Sequence, residues 1–405
     1  MKVLFLSTWF PYPPDNGSKL RAYHLLRALG NRHEVTLLSF TFDTAQPEKA
    51  DALQAICRSV QVVALDPFAV NRAGALATFL SMRPMASRPI PAMSQLVAAE
   101  WQRRTYDAVI ASTEMMADYA LMAPPGAANV LEEHNSLTRW MAERYREQRN
   151  PLQRARCWAS WQKRRWYESH TYPRFDLVTM VSQEDLLATV ELAQGGGPRV
   201  EIVPNGVDCD HNRPGLAQPR PDSLVYNGAL TYSANYDAMR WFLAHVFPRV
   251  KQAVPGVTLA ITGSTAGVDT AGLALDDTVT LTGYVNDIRC PVAEASACVV
   301  PILQGGGTRL KILEAMALGT PVVSTSKGAE GLDVTPGHDI LIADEPTEFA
   351  NQVTRLLSDA ALRDKVAFNA RHLVEQRYDW QQIGRRFVGL VEAAVDARST
   401  QGTAP

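Results

Sequence analysis

Short apolar runs of strand character alternate with segments of helical periodicity along almost the whole chain of 405 residues. In the first half, the candidate strands are residues 3–8, 35–40, 60–65, 108–112, 128–132, 177–181 and 200–203. In the second half, they are residues 224–226, 257–262, 279–282, 297–302, 322–325 and 340–342. Strands that are apolar throughout and separated by helices indicate parallel sheets covered by helices on both faces.

The length and the apolar fraction of 46% suit two α/β domains rather than one. A proline-rich stretch with few apolar residues supplies the linker. We predict an N-terminal domain over residues 1–208, a linker over 209–222 and a C-terminal domain over 223–378, with a last helix over 379–398 that packs back on the first domain. Two doubly wound, Rossmann-like domains would face each other across a cleft, where ligands bind outside the carboxyl ends of the strands.

Composition excludes several classes of protein. A net charge of -2 argues against nucleic acid as the principal partner. The five cysteines show no C-x-x-C pair, so we expect neither a zinc site nor a disulfide framework. Apolar runs stay well short of a membrane span, and the N-terminal run reads as a strand rather than a signal peptide. The expected location is the cytoplasm.

A glycine-rich turn, Gln304-Gly305-Gly306-Gly307-Thr308-Arg309, joins a buried strand to a helix that Gly319 and Pro321 should end. Backbone N–H groups at the start of such a helix bind phosphate. Lys311 and Glu314 are three residues apart and so share one helix face. Spacing alone leaves two interpretations equally open: a phosphate site, or a plain turn beside a surface ion pair.

With these elements in order, the chain resembles the GT-B glycosyltransferases, and most closely family 4 of the retaining glycosyltransferases. In the second half the likeness lies in residues 261–263, 279–285 and 305–323, and in the first half it lies in residues 16–21, 33–38, 181–185 and 203–208. The resemblance implies an enzyme that transfers a hexose-type sugar from a nucleotide diphosphate sugar to a hydroxyl acceptor with retention. The acceptor would be a saccharide, a lipid-linked saccharide or a small metabolite, as in polysaccharide biosynthesis. No cofactor and no metal would be required.

The resemblance also assigns roles in the donor site. Glu314 would accept hydrogen bonds from the ribose hydroxyls of the donor, since a carboxylate offers two acceptor oxygens to two vicinal donors. Lys311 and Arg309 would neutralise the diphosphate as it leaves, assisted by the backbone N–H groups of three loop residues. Those three residues are Gly306, Gly307 and Thr308.

Further positions follow from the same likeness. The segment ending at Val285 would contact the base, while Gly228 and Gly263 would let the backbone pass close to the nucleotide. Gly17 of the first domain would approach the donor without a side chain. His134 matches the active-site histidine of the family and would orient the transferring group. From the residues alone, a histidine in a loop at a strand end is the simpler interpretation of His134.

The chain departs from the family pattern at two places. Gly306 stands where the family commonly has the first of two glutamates separated by seven residues, and residues 226–235 lack the Arg and Lys found in many relatives. Tyr232 or Asn235 could contact phosphate instead. Two alternatives therefore stay open: a nucleotide-sugar epimerase of similar fold, and a catalytically weak nucleotide-sugar-binding partner of another enzyme.

Two other features have competing interpretations. Asp208 and Asp210 could hold a metal with a diphosphate, but they begin the predicted linker, and we expect no metal there. Residues 139–174 are rich in arginine and tryptophan, which suits peripheral contact with the inner face of a membrane. The favoured interpretation is a helix pair whose tryptophans pack on the first domain while its arginines are solvated.

Overall fold

A computed structural model describes residues 1–42, 47–69, 89–192 and 197–401, which form two compact units. The first unit comprises Met1–Pro204 together with the chain from Ile383 onwards, and the second comprises Asn205–Gln382. Residues 209–222, the predicted linker, fall within the second unit. Among the described residues, no helix combines the length and apolar character that a membrane span requires.

The first unit is built on a seven-stranded sheet in which every neighbouring pair of strands is parallel. Its strands are β1 (Lys2–Ser7), β2 (Glu34–Thr41), β3 (Ser59–Ala64), β4 (Ala108–Ser112), β5 (Ala128–Glu132), β6 (Leu177–Met180) and β7 (Arg199–Ile202). Their order is β3-β2-β1-β4-β5-β6-β7. The chain therefore reverses its direction of travel across the sheet between β1 and β4, where doubly wound sheets bind ligands.

Helices cover the sheet of the first unit. They are α1 (Gly17–Gly30), α2 (Pro47–Gln54), α3 (Pro91–Arg103), α4 (Ala117–Ala120), α5 (Leu137–Glu147), α6 (Pro151–Thr171) and α7 (Gln183–Leu192). Side chains at the N-termini fix where two of them begin, because they satisfy N–H groups that lack helical partners. The Asn16 side chain accepts the N–H of Lys19 at 3.1 Å, and Ser136 accepts that of Arg139 at 3.3 Å.

The second unit holds a six-stranded sheet that is again parallel throughout. Its strands are β8 (Arg220–Asn227), β9 (Thr258–Thr262), β10 (Val279–Gly283), β11 (Ala295–Val300), β12 (Val322–Ser324) and β13 (Leu341–Ile342), in the order β10-β9-β8-β11-β12-β13. Its helices are α8 (Ser233–Trp241), α9 (Phe247–Ala253), α10 (Arg289–Ala293), α11 (Leu310–Leu318), α12 (Pro346–Ser358), α13 (Ala360–Arg377) and the first residues of α14 (Trp380–Gln401). Here the change of direction lies between β8 and β11.

The predicted α/β fold with two doubly wound parallel sheets is confirmed, and each predicted strand is present with slightly different ends. The largest difference is at β8, which begins at Arg220 rather than at residue 224 because its first residues are polar and give no apolar signal. Helix α11 ends as predicted. Gly319 follows it in the left-handed conformation at φ 79°, which glycine adopts without steric cost.

Candidate functional site

In the first unit, polar side chains gather at the carboxyl ends of β1, β4 and β5. Ser7, Ser112 and Glu132 lie side by side in the register of the three strands. Glu132 is fully buried, and its carboxylate accepts a hydrogen bond from the Ser112 hydroxyl at 2.8 Å. The guanidinium of Arg21, on α1, pairs with the other carboxylate oxygen. A buried charge pair thus joins α1 to the end of β5.

The charge state of Glu132 is set by its neighbours. Burial would raise the pKa of this carboxyl, but Arg21 and His134 together hold it well below its usual range. Arg21 is itself only 1% exposed and also donates to the carbonyl oxygen of Pro204 at 3.0 Å. Glu132 is therefore a carboxylate, and the ion pair is a structural element of the loop that follows β5.

That loop carries His134, whose Nε2 lies 3.2 Å from a Glu132 oxygen and 3.2 Å from the Ser112 hydroxyl. Its ring stacks on Trp9 with centroids 6.1 Å apart. A carboxylate only accepts hydrogen bonds, so it favours the tautomer with the proton on Nε2 and a lone pair on Nδ1. Within the described part of the chain this buried Nδ1 has no hydrogen-bond partner. It is an acceptor that suits a ligand hydroxyl.

The switch point of the first sheet also contains a strained residue. Thr113 follows β4 with φ at 76°, in the region that a β-branched side chain rarely adopts. Its hydroxyl lies 2.8 Å from that of Thr8, which follows β1. Backbone strain of this kind concentrates at ligand sites. Gly17, the other predicted residue of this unit, is the exposed first residue of α1.

In the second unit, the glycine-rich turn follows β11 at the corresponding switch point. Gly305 and Gly307 have φ of 104° and 82°, so the turn depends on glycine. The guanidinium of Arg309 donates to the carbonyl oxygens of Gly305 and Gly307 at 2.7 Å each, and also to that of Gly306. In this conformation Arg309 holds the turn together.

Because Arg309 binds the carbonyl groups of the turn, the N–H groups are left for other partners. Among the residues described, those of Gly306, Gly307 and Thr308 donate to no backbone carbonyl. The Thr308 hydroxyl is buried, and it too has no partner within the described ranges. Successive free N–H groups before a helix N-terminus form an anion-binding concavity.

Lys311, on the first turn of α11, is half-buried. Its Nζ donates to the Tyr226 hydroxyl at 3.0 Å and to the Asn235 side-chain oxygen at 3.1 Å, and it lies 4.2 Å from the centre of the Tyr226 ring. It makes no ion pair with any residue that the structure describes. Burial lowers the pKa of Lys311 to about 7, against the opposing influence of Cys298 and Glu314.

Glu314 lies one turn further along α11, and its hydrogen-bond partner is also a neutral side chain. Its carboxylate accepts a hydrogen bond from the Asn227 side-chain amide at 2.9 Å, and it pairs with no cation in the described parts of the chain. Burial raises the pKa of Glu314, while Lys311 and Asn227 oppose the shift. Both charged groups of α11 thus have neutral hydrogen-bond partners, and each influences the other electrostatically without forming an ion pair with it.

Glycines keep this region open. A Cβ on Gly228 would lie 2.5 Å from the Lys311 Nζ, and one on Gly263, whose φ is +111°, would lie 2.6 Å from the backbone nitrogen of Ala229. The N–H of Gly263 donates to the carbonyl oxygen of Gly283 at 2.9 Å, at the end of β10. Val285 follows two residues later and is half-buried.

The structure therefore brings most of the predicted donor residues to one edge of the second sheet: Gly228, Gly263, Gly306, Gly307, Thr308, Arg309, Lys311 and Glu314. It places His134 and Gly17 in the first unit. The partners of these groups were not among the predicted site residues; they are Arg21, Glu132, Tyr226 and Asn227. Only Glu132 gave a usable signal, as a carboxylate two residues before His134 at a strand end.

The carboxylates of Asp208 and Asp210 have hydrogen-bond partners within the chain. The Asp208 carboxylate accepts the backbone N–H groups of Asp210 and His211 at 3.1 and 2.9 Å, as in an ordinary turn. Among the described residues, no group of three or more His, Cys, Asp or Glu side chains is placed to hold a metal ion.

The favoured interpretation of residues 139–174 is wrong in part. Trp158 and Trp166 are 50% and 41% exposed, so these two tryptophans are only partly covered by the rest of the chain. Arg164, by contrast, is buried and binds the Glu114 carboxylate at 2.7 Å. The helical pattern could not show which residues face inward, because a buried acid elsewhere in the chain decides the position of the arginine.

Two family models match the chain. One described as Glycosyltransferase Family 4 matches residues 16–211, and one described as Glycosyl transferases group 1 matches residues 221–359. Together they span most of both units.

Full-length relatives are similar at low identity. An uncharacterised 44.6 kDa protein of the cps region of Klebsiella pneumoniae is 21% identical over 94% of this chain and 97% of its own length. The MMP alpha-(1->4)-mannosyltransferase of Mycolicibacterium hassiacum is 23% identical over 82% of this chain and 83% of its own.

Solved structures share the fold. Sucrose-phosphate synthase from Thermosynechococcus elongatus superimposes with a TM-score of 0.73 at 18% identity, covering 98% of this chain and all of its own. Anabaena HepE in complex with UDP-glucose gives a TM-score of 0.67 at 18% identity, covering 97% of this chain and 100% of its own.

Proposed function

Since the chain belongs to glycosyltransferase family 4 and is a glycosyltransferase of GT-B fold, we propose that it moves a hexose from a nucleoside diphosphate sugar to an acceptor hydroxyl with retention. The proposal is supported by the arrangement of polar groups at the edge of the second sheet. There a cation, a carboxylate and free N–H groups surround a glycine-rich turn, and no described residue neutralises the two charges.

Each of these groups matches one part of the donor. The N–H groups before α11 and the Thr308 hydroxyl bind phosphate oxygens, and Lys311 compensates the charge that grows on the leaving diphosphate. Binding of a dianion raises the pKa of Lys311, so the ammonium form is present when it is needed. Glu314 accepts hydrogen bonds from the ribose hydroxyls. Arg309 contributes by holding the turn and by its positive field.

The acceptor side of the proposal rests on the first unit. The Nδ1 of His134 accepts a hydrogen bond from a sugar hydroxyl and orients the transferring group, while the carboxylate of Glu132 fixes the imidazole ring. The proton of the acceptor hydroxyl leaves with the departing phosphate, so no side chain has to act as the base. Gly17 approaches the donor without a side chain.

A thermal-shift screen with uridine, guanosine and adenosine diphosphates and their sugars tests the donor site. A ligand at about 100 times its Kd adds about 2.7 kcal/mol to the free energy of unfolding. We expect one base to give the largest shift, and we expect Glu314→Ala to lose most of it. Uridine and guanosine are the first candidates, since HepE was solved with UDP-glucose and a mannosyltransferase of Corynebacterium glutamicum, 25% identical over 242 residues, uses GDP-mannose.

The control is Glu348→Ala, which removes an exposed carboxylate from α12 and should leave the shift unchanged. Equal responses of wild type and Glu314→Ala would refute the assignment of the donor site. The epimerase is the alternative that the sequence leaves open, and product analysis distinguishes it from the transferase. Nucleoside diphosphate released only when an acceptor is present favours transfer, whereas a changed sugar without release favours the epimerase. Donor binding without turnover on a broad panel of acceptors would indicate a binding partner instead.

Contact of residues 139–174 with a membrane surface also stays a prediction. The exposed rings of Trp158 and Trp166 support it, since aromatic side chains of this kind favour the membrane interface. Sedimentation with anionic vesicles at low salt is its test, and failure to sediment there refutes it.

A further inference from the structure

Helices α5, α6 and α7 of the first unit enclose a groove of about 340 Å³, within the range of about 300–1,000 Å³ that small-molecule sites occupy. Thr138 and Arg146 line it at opposite ends of α5, and a helix rises about 12 Å over that distance. Thr138 lies four residues after His134. The groove therefore begins close to the end of β5 and is long enough for more than one sugar ring.

The rim of the groove is basic. Three arginines line it, Arg139, Arg146 and Arg165, against two glutamates, Glu143 and Glu191. Arg139 pairs with Glu143 at 3.6 Å and with Asp185 at 3.4 Å. Arg146 and Arg165 are exposed, and neither forms an ion pair within the described residues. Two guanidinium groups on separate helices are thus available to an anion, which they bind with directional pairs of hydrogen bonds.

An aromatic wall lies beside these cations. Trp161 lines the groove, stacks on Tyr145 at 5.7 Å between ring centroids, and has Arg165 5.4 Å from its ring centre. Its indole N–H is buried and unsatisfied among the described residues. A buried N–H without a partner costs free energy that a ligand oxygen would recover. An indole with a free N–H, flanked by guanidinium groups, suits a hydroxyl-rich anion better than an acyl chain.

We propose that this groove binds the acceptor and that the acceptor is an acidic oligosaccharide, whose carboxylate or phosphate groups contact Arg146 and Arg165. The inference rests on the proposed transfer of sugar to a hydroxyl, and it names the class of molecule that supplies that hydroxyl. A chain bound along α5 has its end near His134, the residue that orients the transferring group.

The test compares binding of three probes to the full-length protein by calorimetry at physiological ionic strength: tetragalacturonate, trehalose 6-phosphate and neutral maltotetraose. We expect at least one acidic probe to bind and maltotetraose to bind at least tenfold more weakly. The double variant Arg146→Glu, Arg165→Glu should weaken the acidic probe by at least tenfold. The matched control, Arg149→Glu, Arg156→Glu, alters the net charge equally at exposed positions outside the groove and should change affinity less than threefold. Trp161→Phe, which keeps a ring and removes the N–H, should weaken binding severalfold.

Equal losses in the two double variants would mean that charge alone attracts the probes, and would overturn the proposal. So would equal binding of maltotetraose, failure of both acidic probes to bind, or binding only to phosphatidylglycerol vesicles, which would assign the basic surface to a membrane. The donor-induced thermal shift separates this proposal from the proposed function. The groove variants should keep that shift, and a wild type that binds acidic saccharides but no nucleotide sugar would contradict only the donor site.

Discussion

In both units the polar groups lie at the point where the strand order of the sheet reverses. The two units differ in whether the charged groups there have an oppositely charged partner within the chain. In the first unit the carboxylate of Glu132 meets Arg21, two hydrogen-bond donors and almost no solvent. In the second, Lys311 and Glu314 have, among the residues that the structure describes, only Tyr226, Asn227 and Asn235 as side-chain hydrogen-bond partners. One region has its charge compensated from within the chain, and the other leaves its charges for a ligand to compensate.

The difference separates stability from binding. A buried pair with both partners present fixes the backbone around it, and removal of one partner leaves an uncompensated charge. A buried cation without a counter-charge lowers stability until an anion arrives, and then contributes to the affinity for that anion. Substitutions in the two regions should therefore change different quantities.

The largest effect is expected at Arg21. Arg21→Met should lower the free energy of unfolding by about 3–5 kcal/mol, because the carboxylate of Glu132 stays buried without its cation. Urea denaturation measures the loss. Adding Glu132→Gln to the same chain should restore part of the stability. A loss below about 1 kcal/mol would mean that the ion pair between Arg21 and Glu132 contributes no more than a surface pair and does not stabilise the first unit.

Lys311 should show the opposite behaviour. Lys311→Met should reduce kcat/KM for the best donor by about 10²–10³, the usual cost of losing one charge-stabilising group. Its free energy of unfolding should stay the same or rise, since a desolvated cation is removed. Lys251→Met, which removes a half-buried lysine from α9, serves as control and should leave activity unchanged. A destabilised Lys311→Met with normal activity would reverse the roles assigned to the two regions.

The pH dependence of stability and of binding should reveal the ionisation of Lys311. The pKa of Lys311 is about 7 in the folded protein against an ordinary value of 10.5, so between these values the unfolded chain binds more protons and the free energy of unfolding rises with pH. Nucleoside diphosphate affinity should fall above pH 7, by up to about tenfold per pH unit, because the free protein then loses the ammonium form. Calorimetry in buffers of different ionisation enthalpy should detect proton uptake on binding at pH 8. Lys311→Met should abolish both the uptake and this slope, and a wild type without either would refute the assignment.

Much of the fold could be predicted from the sequence because a buried parallel strand is apolar along most of its length. Residues Lys2–Ser7 are buried after the first position, and the run predicts the strand without further information. The charge pair between Arg21 and Glu132 could not be predicted, since it joins residues 111 positions apart that meet only once the strands are ordered.

Within the candidate donor site, the residue types could be predicted from the sequence, but the orientations of their side chains could not. A glycine-rich turn before a helix suggests phosphate whether its arginine points at a ligand or at the turn itself. The Arg309 side chain points at the turn, because the positive φ of Gly305 and Gly307 turns carbonyl groups towards it. The ring of Tyr226 fits the apolar pattern of its strand. The pattern does not reveal that its hydroxyl accepts a hydrogen bond from Lys311.

The smallest expected effects lie in the turn itself, where neighbouring glycines should respond differently. Gly307 has φ of +82°, so Gly307→Ala should lower the free energy of unfolding by about 1–2 kcal/mol. Gly306 does not have a positive φ, so Gly306→Ala should lower it much less. Thermal denaturation of the two variants measures the difference. Gly306→Glu, which restores the carboxylate common in the family, should then fold normally and alter the preference among donor sugars more than the affinity for the nucleoside diphosphate. If Gly306→Ala is as damaging as Gly307→Ala, the position is closed to a side chain for steric reasons, and the missing carboxylate is a requirement of this turn rather than a choice of donor.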